Sequence, residues 1–319
     1  MEPTDEKILL VGAGPMAVAY AQVMAALQVP FIVVGRGQPA AQRFEQETGV
    51  PVATGGVEQW LQTASRVPQR AIVAVNPREL GTVATMLLNR GVPALLVEKP
   101  AGFDYDDIQS VADCAKRQHA QVYVGYNRRC YASTIKAREL IAADGGALSF
   151  YFEFTELLDR IPDAMKRSGE ATQWFLANST HVIDLAFYLG GKPETMHCSI
   201  AGSFDWHPQA AIYAGSGRSQ TGALFTYQAN WQSAGRWGVE VMTKRQRLIL
   251  RPLETLSRQA IGSFSLEPVA LADELDQKFK PGLYRQVEAF IRHPEPLLTI
   301  EAHAAMLGHY RLIDGGGTL

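Results

Sequence analysis

The feature that most constrains the fold is a glycine-rich turn between a short apolar run and a helix-like segment. Ile8-Leu9-Leu10-Val11 precedes Gly12-Ala13-Gly14-Pro15-Met16-Ala17, and apolar residues continue to about Leu27. In such a turn the first glycine permits a tight bend, the second admits a pyrophosphate against the backbone, and the small third residue allows close helix–strand contact. The motif predicts a strand–turn–helix unit that binds a dinucleotide, with a purely structural glycine turn as the alternative. The residues expected at the cofactor are Gly12, Gly14, Pro15, Met16 and Ala17.

Apolar runs of the same kind recur through the first 124 residues. They lie at 31–34, 71–75, 94–97 and 122–124, separated by helix-like spacers near 39–48, 79–90 and 104–119. Strands that are apolar on both faces and alternate with helices are typical of a parallel sheet covered on both sides. Residues 1–124 are therefore predicted to form a doubly wound α/β Rossmann domain that binds NAD(P).

The pattern changes after about residue 125. Runs at 148–154, 223–232 and 238–250 alternate polar with apolar or aromatic residues, as antiparallel strands with one solvated face do. A helix is predicted from about Ser179 to Leu189, because capping-type residues precede it and Gly190-Gly191 follow it. We expect residues 125–319 to form an α+β domain with a large, mostly antiparallel open sheet that serves substrate binding and oligomerisation.

The end of the second predicted strand bears on the choice of cofactor. An acid commonly binds the ribose at this point, but the run here is Val33-Val34-Gly35-Arg36. A guanidinium offers a planar fork of donors to a 2′-phosphate, and no acid stands at the strand end to repel that phosphate. Arg36 therefore favours NADP(H), with NAD(H) as the alternative cofactor and a solvated loop arginine as the alternative interpretation.

Four further motifs follow the glycine turn in order along the chain. They are Val75-Asn76-Pro77, Val97-Glu98-Lys99-Pro100-Ala101-Gly102, Gly125-Tyr126-Asn127-Arg128-Arg129 and His181-x-x-Asp184. Together with the glycine turn they resemble the Gfo/Idh/MocA family of NAD(P)-dependent oxidoreductases, and the resemblance covers essentially the whole chain. Each motif alone is moderately specific, whereas five in order are highly specific.

The resemblance implies an enzyme that transfers a hydride between a nicotinamide cofactor and the hydroxyl or keto carbon of a sugar, amino sugar or cyclitol. It implies catalytic roles for Lys99, which contacts both substrate and nicotinamide ribose, and for His181, which acts as the acid/base. It adds to the cofactor site Asn76, Pro77, Glu98 and Lys99. The residues expected at the substrate are Tyr126, Asn127, Trp174, Asn178 and His181, where Trp174 follows a polar segment, 159–170, that would act as a lid.

One position departs from the family pattern. Many members carry an aspartate four residues before the histidine, and here that residue is Ala177. Asn178 can hydrogen-bond a substrate hydroxyl but cannot act as a carboxylate base. Asp184, one helical turn after His181, is a candidate partner for the imidazole or an exposed helix residue, while Arg128 and Arg129 are either site residues or ordinary salt-bridge residues.

Two other functions stay open at this point. The fold could serve a cofactor-sensing regulator without catalysis, for which Ala177 is the best argument, or a glycosidase that oxidises its substrate only transiently. A role in surface-polysaccharide metabolism rests on association with the fold alone.

Composition excludes several classes of partner. The 319 residues carry 30 basic and 32 acidic side chains, a balance that argues against a nucleic-acid or polybasic membrane surface. Three separated cysteines without zinc-ligand spacing favour reduced thiols in a cytoplasmic protein and no metal site. The uncharged stretch 8–35 is interrupted by glycine and proline, so we expect neither a signal peptide nor a membrane span.

Assembly is predicted from the aromatic residues of the second domain. They are Phe225, Tyr227, Trp231 and Trp237. On a sheet with one solvated face they would leave apolar surface to hide, which predicts a homodimer or homotetramer. The alternative is that helices of the same chain cover that face.

Overall fold

The computed structural model describes residues 7–319. Its strands are β1 (Ile8–Val11), β2 (Phe31–Val34), β3 (Val52–Ala53), β4 (Arg70–Val73), β5 (Ala94–Val97), β6 (Gln121–Val124), β7 (Ser149–Glu153), β8 (Pro193–Ala201), β9 (Ile212–Ser219), β10 (Leu224–Asn230), β11 (Gly238–Met242), β12 (Gln246–Leu250), β13 (Ser257–Ala260), β14 (Glu267–Pro268), β15 (Leu298–Thr299) and β16 (Gly317–Thr318). Its α-helices are α1 (Pro15–Ala26), α2 (Gln38–Thr48), α3 (Gly56–Thr63), α4 (Pro77–Asn89), α5 (Tyr105–Arg117), α6 (Ala132–Ala143), α7 (Asp163–Arg167), α8 (Thr180–Gly190), α9 (Glu274–Lys278), α10 (Leu283–Arg292), α11 (Ile300–Ala304) and α12 (Leu307–Gly315). Short 3₁₀ helices occupy Asn127–Cys130, Leu158–Arg160 and Glu170–Gln173, and a π-helix occupies Phe175–Ser179. The expectation that residues 1–6 belong to the first domain lies outside the described residues.

The first sheet has seven strands in the order β15-β6-β5-β4-β1-β2-β3. β1 pairs in parallel with both β2 and β4, so the strand order reverses beside β1. All four residues of β1 are buried, because helices cover both faces of such a sheet. The prediction of a doubly wound Rossmann fold is confirmed. The short elements β3 and α3 were not predicted, since a two-residue strand carries no periodicity.

The chain divides into two compact units, one of residues up to 127 with 276–305 and the other of 128–275 with 306–319. The change of sequence pattern near residue 125 predicts that 276–305 belong to the second domain, whereas the structure places this segment in the first unit. There β15 pairs antiparallel with the edge strand β6, and α10 packs on α1. The apolar residues along one side of α10 must be buried against another element. The sequence of α10 does not reveal whether that element belongs to the first or the second unit.

The second sheet has nine strands in the order β14-β13-β12-β11-β7-β10-β9-β8-β16. β7 lies near its middle, parallel to β10 and antiparallel to β11. All the other neighbouring pairs of this sheet are antiparallel. The prediction of a large, mostly antiparallel sheet is confirmed.

One face of the second sheet is covered by α8. Phe187 of this helix lies 5.3 Å from Phe225 and 6.0 Å from Phe150, measured between ring centroids, in edge-to-face geometry. Tyr227 and Trp231 are buried as well. The apolar surface expected from Phe225, Tyr227 and Trp231 is therefore hidden within the same chain, as the alternative held.

Two further observations concern the described residues only. None of their helices is long and apolar enough to cross a membrane. Cys114, Cys130 and Cys198 are buried free thiols.

Asp314 of α12 makes stability depend on pH. Burial raises the pKa of its carboxyl to about 7, since the hydroxyl of Tyr213, which donates to it at 3.4 Å, only partly offsets the lost solvation. Between the ordinary pKa of 3.8 and about 7 the folded state keeps a proton that the unfolded state releases. The free energy of unfolding should therefore fall as pH rises through this window, by at most about 4 kcal/mol.

Urea unfolding of wild type and Asp314→Asn at about pH 5 and about pH 8 measures this dependence. The substitution should remove most of the loss of stability at the higher pH. Asp163→Asn, on the exposed side of α7, is the matched control and should leave the slope as in wild type. Equal slopes for wild type and Asp314→Asn would show that the group does not titrate in this range.

Candidate active site

The glycine turn is built around a close approach of two backbones. Gly12 has a φ of +125°, and a Cβ at this position would overlap the carbonyl oxygen of Ala74, just after β4. Its N–H donates to the carbonyl oxygen of Val34 at 2.8 Å. Only glycine satisfies both the positive φ and the missing space. The end of β1 is thereby held between the ends of β2 and β4.

Gly14 serves a different purpose from Gly12. It precedes α1 with an ordinary extended φ of −89°, and a Cβ built there would meet no atom within 4 Å. The first N–H groups of α1 have no acceptor within the helix, and its first turn carries no acidic side chain. A helix start of this kind attracts an anion, and Gly14 leaves room for that anion to approach.

A cavity of about 670 Å³ adjoins this turn. It unites most of the residues predicted for the cofactor, namely Gly12, Gly14, Pro15, Met16, Arg36 and Asn76. A neighbouring cavity of about 440 Å³ shares Gly12 and Arg36 with it. Ala17 is instead fully buried, which agrees with the packing role of the third small residue. Pro77 begins α4 directly after Asn76, whose side chain caps that helix by accepting from the N–H of Arg78 at 3.0 Å.

Arg36 has an acidic partner that the sequence analysis did not identify. Its guanidinium forms an ion pair with Glu79, in the first turn of α4, and both side chains line the two cavities. The end of β2 carries no acid, but the fold supplies one from another helix. Arg43 of α2 also lines the larger cavity, so two arginines and one glutamate face it at this end.

Glu98 and Lys99 follow β5 but occupy different environments. Glu98 is buried, and its carboxylate accepts a hydrogen bond from the hydroxyl of Tyr20 at 2.6 Å. Burial raises the pKa of Glu98, although Tyr20, Lys99 and Lys280 each oppose that rise. Lys99 is half-buried. Glu98, which was expected at the cofactor, is thus held in the interior.

The turn after Lys99 is supported from the returning segment of the first unit. The ring of His303 lies with Nε2 3.1 Å from the carbonyl oxygen of Pro100, so that nitrogen carries the proton and donates. Tyr126 packs edge-on against the His303 ring at 5.4 Å. Asn127 donates from Nδ2 to the carbonyl oxygen of Pro281 at 2.8 Å. Tyr126 and Asn127, which were expected at the substrate, are both buried within this unit.

In the second unit, His181 lies in the first turn of α8 and is almost completely buried. The ring of Trp237 is 6.3 Å from its ring, and the guanidinium of Arg128 lies over Trp237 at 4.6 Å. A cation above an indole is attracted by the negative face of the ring. Trp237 therefore borders His181, the predicted acid/base, and Arg128 packs against the ring of Trp237.

Asp184 does not fit either interpretation given for it. Its carboxylate accepts two hydrogen bonds from Arg129, at 2.7 Å from Nε and 2.6 Å from Nη2, and it is buried. Burial lowers the pKa of the Arg129 guanidinium, but Asp184 more than compensates and keeps it above its ordinary value. Asp184 is thus neither exposed nor the partner of His181. Of the two alternatives for Arg129, a site residue or an ordinary salt-bridge residue, the structure shows the salt bridge.

A buried carboxylate that the sequence analysis missed lies beside the π-helix. Glu156 accepts from Nδ2 of Asn178 at 2.8 Å and from the hydroxyl of Ser179 at 2.6 Å, and only 6% of the residue is exposed. The π-helix turns these two consecutive residues towards one carboxylate, and such bulges are frequent at functional sites. An acid three residues after the end of β7 was the available signal.

Glu156 and Asn178 line a cavity of about 250 Å³ together with Trp174 and Trp237. Two residues expected at the substrate, Trp174 and Asn178, therefore meet at one cavity, and Trp237 connects it to His181.

Residues 6–126 match a family model described as an oxidoreductase family with an NAD-binding Rossmann fold, Gfo/Idh/MocA. The N-terminal domain belongs to the Gfo/Idh/MocA family. The resemblance seen in the sequence motifs is thereby confirmed. No curated protein sequence matches the chain.

Solved structures of similar fold extend the likeness to nearly the whole chain. UDP-N-acetylglucosamine 3-dehydrogenase GnnA from Acidithiobacillus ferrooxidans has a TM-score of 0.74 at 16% identity, over 96% of each chain. Levoglucosan dehydrogenase in complex with NADH and levoglucosan has a TM-score of 0.78 at 15% identity, over 97% of this chain and 96% of that one. A putative NADPH-dependent oxidoreductase from Desulfitobacterium hafniense has 0.78 at 14%, over 96% and 94%. At these identities the likeness shows the two-part fold.

The two glycines of the turn should separate folding from cofactor binding. Gly14→Ala adds a methyl group to open space at an ordinary φ, so the free energy of unfolding should change by about 1 kcal/mol or less. The same methyl group would occupy the approach of a pyrophosphate and should weaken cofactor binding at least about tenfold. Gly12→Ala should instead destabilise the fold. Thermal unfolding and fluorescence titration with NADPH and NADH measure the two effects, and unchanged cofactor affinity in Gly14→Ala would contradict the assignment.

Proposed function

We propose that the protein is an NAD(P)-dependent dehydrogenase or reductase that acts on a hydroxyl or keto carbon of a sugar, amino sugar or cyclitol. The observation that carries the proposal is the Gly12–Gly14 turn opening on a cavity of about 670 Å³ in a domain of an oxidoreductase family. Two sugar dehydrogenases among the structures of similar fold support the class of substrate.

The residues present fit a dinucleotide. Gly12 and Gly14 leave the space that a pyrophosphate needs, the start of α1 supplies N–H donors, and Asn76 borders the same cavity. When bound, the nicotinamide supplies or accepts the hydride. The residues of the chain bind and orient the cofactor and the substrate and shield them from water. They also stabilise the charge on the substrate oxygen and transfer its proton.

Lys99 and His181 are proposed to stabilise the charge on the substrate oxygen and to transfer its proton. An ammonium group at Lys99 stabilises negative charge that develops on the substrate oxygen, which is a contribution specific to the transition state. A neutral imidazole at His181 takes the hydroxyl proton in oxidation and returns it in reduction.

The proposed preference for NADP(H) depends on the balance of charged side chains at one end of the larger cavity. Arg36 and Arg43 supply two positive charges at the end of the cavity, and Glu79 removes one of them. The remaining positive charge favours a 2′-phosphate, whereas the carboxylate of Glu79 favours the free hydroxyl of NAD(H). Glu79 is therefore the residue that limits the preference.

Cofactor titrations of Arg36→Ala and Glu79→Gln test this balance. Arg36→Ala should lower affinity for NADPH by about 1.5–3 kcal/mol, because charge-assisted hydrogen bonds are lost, and should leave NADH affinity within a few-fold. Glu79→Gln should move the ratio in the opposite direction by freeing the guanidinium. Arg218→Ala, an exposed arginine of the second unit, is the control. Equal affinities for both cofactors in wild type would end the NADP(H) proposal.

Substitution of Lys99 and His181 tests the chemical roles. With a substrate found by screening sugars and cyclitols against both cofactors, Lys99→Met and His181→Ala should each slow single-turnover hydride transfer about 10²–10⁴-fold. Cofactor affinity should stay within a few-fold, because these groups act where charge and proton change. Lys116→Met on α5 and His197→Ala on β8 are exposed controls for the same substitutions. If His181→Ala keeps most of the rate, His181 is not the acid/base.

The nicotinamide absorbance also separates this function from its rivals. A net change of absorbance at that band indicates a dehydrogenase. Formation of product without a net change indicates a glycosidase, and binding of the cofactor without any product indicates a regulator.

A role in surface-polysaccharide metabolism, a cytoplasmic location and a homo-oligomer remain proposals. For the last, support comes from exposed side chains on the uncovered face of β9 and β10, including Leu224, and light scattering is its test.

A further inference from the structure

The cavity of about 250 Å³ in the second unit has an uneven distribution of polar groups. Glu156 and Asn178 stand in its wall with Trp174 and Trp237, and Arg236 also lines it. Ligand sites are mostly apolar with a few placed polar groups, and sites for drug-sized ligands measure about 300–1,000 Å³. The smaller volume here suits a single sugar ring, whose apolar C–H faces match the two indoles.

The orientation of the Asn178 amide follows from its partner. A carboxylate can only accept, so the nitrogen Nδ2 must be the atom that donates to Glu156, at 2.8 Å. The oxygen Oδ1 is then left as an acceptor, and no group of residues 7–319 donates a hydrogen bond to it. The carboxylate oxygens of Glu156 likewise act as acceptors, from Asn178 and Ser179. At this side of the cavity a ligand must therefore donate, as sugar hydroxyls or an amino group do.

Arg236 supplies the opposite preference. Its side chain is exposed, and among residues 7–319 no ion pair involves it. Its backbone is nevertheless fixed, because its N–H donates to Glu153 at 3.1 Å, and Arg251 in turn donates to Glu153 at 2.7 Å. An unpaired guanidinium on an anchored loop favours an anionic group on the ligand.

We propose that this cavity is the sugar subsite of the dehydrogenase and that the substrate is an anionic sugar. Its hydroxyls donate to Glu156 and Asn178, and its carboxylate or phosphate pairs with Arg236. The acceptors Glu156 and Asn178 and the cation Arg236 together set the direction in which the ring enters. This inference rests on the proposed function, because it names the substrate of the same enzyme.

The test measures binding, so that it does not depend on turnover. Calorimetric titrations use glucose, glucuronate and glucose 6-phosphate, with inorganic phosphate alone as a fourth ligand. Wild type should bind one or both anionic sugars at least about tenfold more tightly than glucose, which is the scale of one charge-assisted hydrogen bond. The glucuronate and glucose 6-phosphate arms distinguish a carboxylate from a phosphate.

Three variants then locate the interaction. Arg236→Gln should remove the preference for the anionic sugar and leave glucose within about threefold, while the exposed control Arg258→Gln should leave both unchanged. Glu156→Gln should weaken every sugar about tenfold, since its hydroxyl contacts lose the charge. If Glu156→Gln does not fold, Asn178→Ala removes the second acceptor and should weaken the same sugars.

Several outcomes overturn the inference. They are equal binding of neutral and anionic sugars, an anionic preference that survives Arg236→Gln, and inorganic phosphate binding as tightly as the sugar phosphate. Hydride transfer is recorded separately on the same samples. Turnover of a neutral sugar that is insensitive to Arg236→Gln contradicts the subsite and keeps the dehydrogenase, whereas selective binding without any hydride transfer keeps the subsite and contradicts the dehydrogenase.

Discussion

The close contact between the backbone at Gly12 and the carbonyl of Ala74 is the constraint on which the first unit depends. It brings the end of β1 against the end of β4, while the N–H of Gly12 ties it to Val34 on β2. The strand order reverses at this point, and a doubly wound sheet opens a crevice where it does so. The start of α1 then points its free N–H groups into that crevice. A single additional methyl group at position 12 would overlap the carbonyl of Ala74, push these strand ends apart and destabilise the turn that precedes α1.

Local features of the sequence predicted the elements well, because strand and helix periodicity is a property of neighbouring residues. The glycine turn, β1, β2, β4 to β6 and the buried face of α8 all followed from such patterns. The partners of the charged residues did not. Glu79 reaches Arg36 and Glu156 reaches Asn178 from other segments, and nothing in the spacing of those residues reveals which core they share. The periodicity of apolar residues indicates that one face of a helix or strand is buried. Only the tertiary structure shows which other residues bury it.

These unseen partners change the chemistry more than they change the fold. Glu79 converts an arginine that would simply favour a 2′-phosphate into one half of a balanced pair. Asp184 is engaged by Arg129 and is therefore not available to His181, the proposed acid/base. Glu156 returns a carboxylate to the same region, at a buried position beside the π-helix. The second unit thus keeps one carboxylate facing a cavity although Ala177 provides none.

The returning segment 276–305 shows that the dinucleotide-binding unit is not complete in the continuous chain up to residue 127. β15 covers the edge of β6, Gln286 lies near the Tyr20–Glu98 pair, and His303 holds the turn that follows Lys99. Each of these contacts reaches a group that stands beside or within the Lys99 motif. An exposed sheet edge and an unsupported buried glutamate would each cost stability. The turn that follows Lys99 is therefore supported by a residue about two hundred positions later in the chain, because the first unit includes a segment that follows the second unit in the sequence.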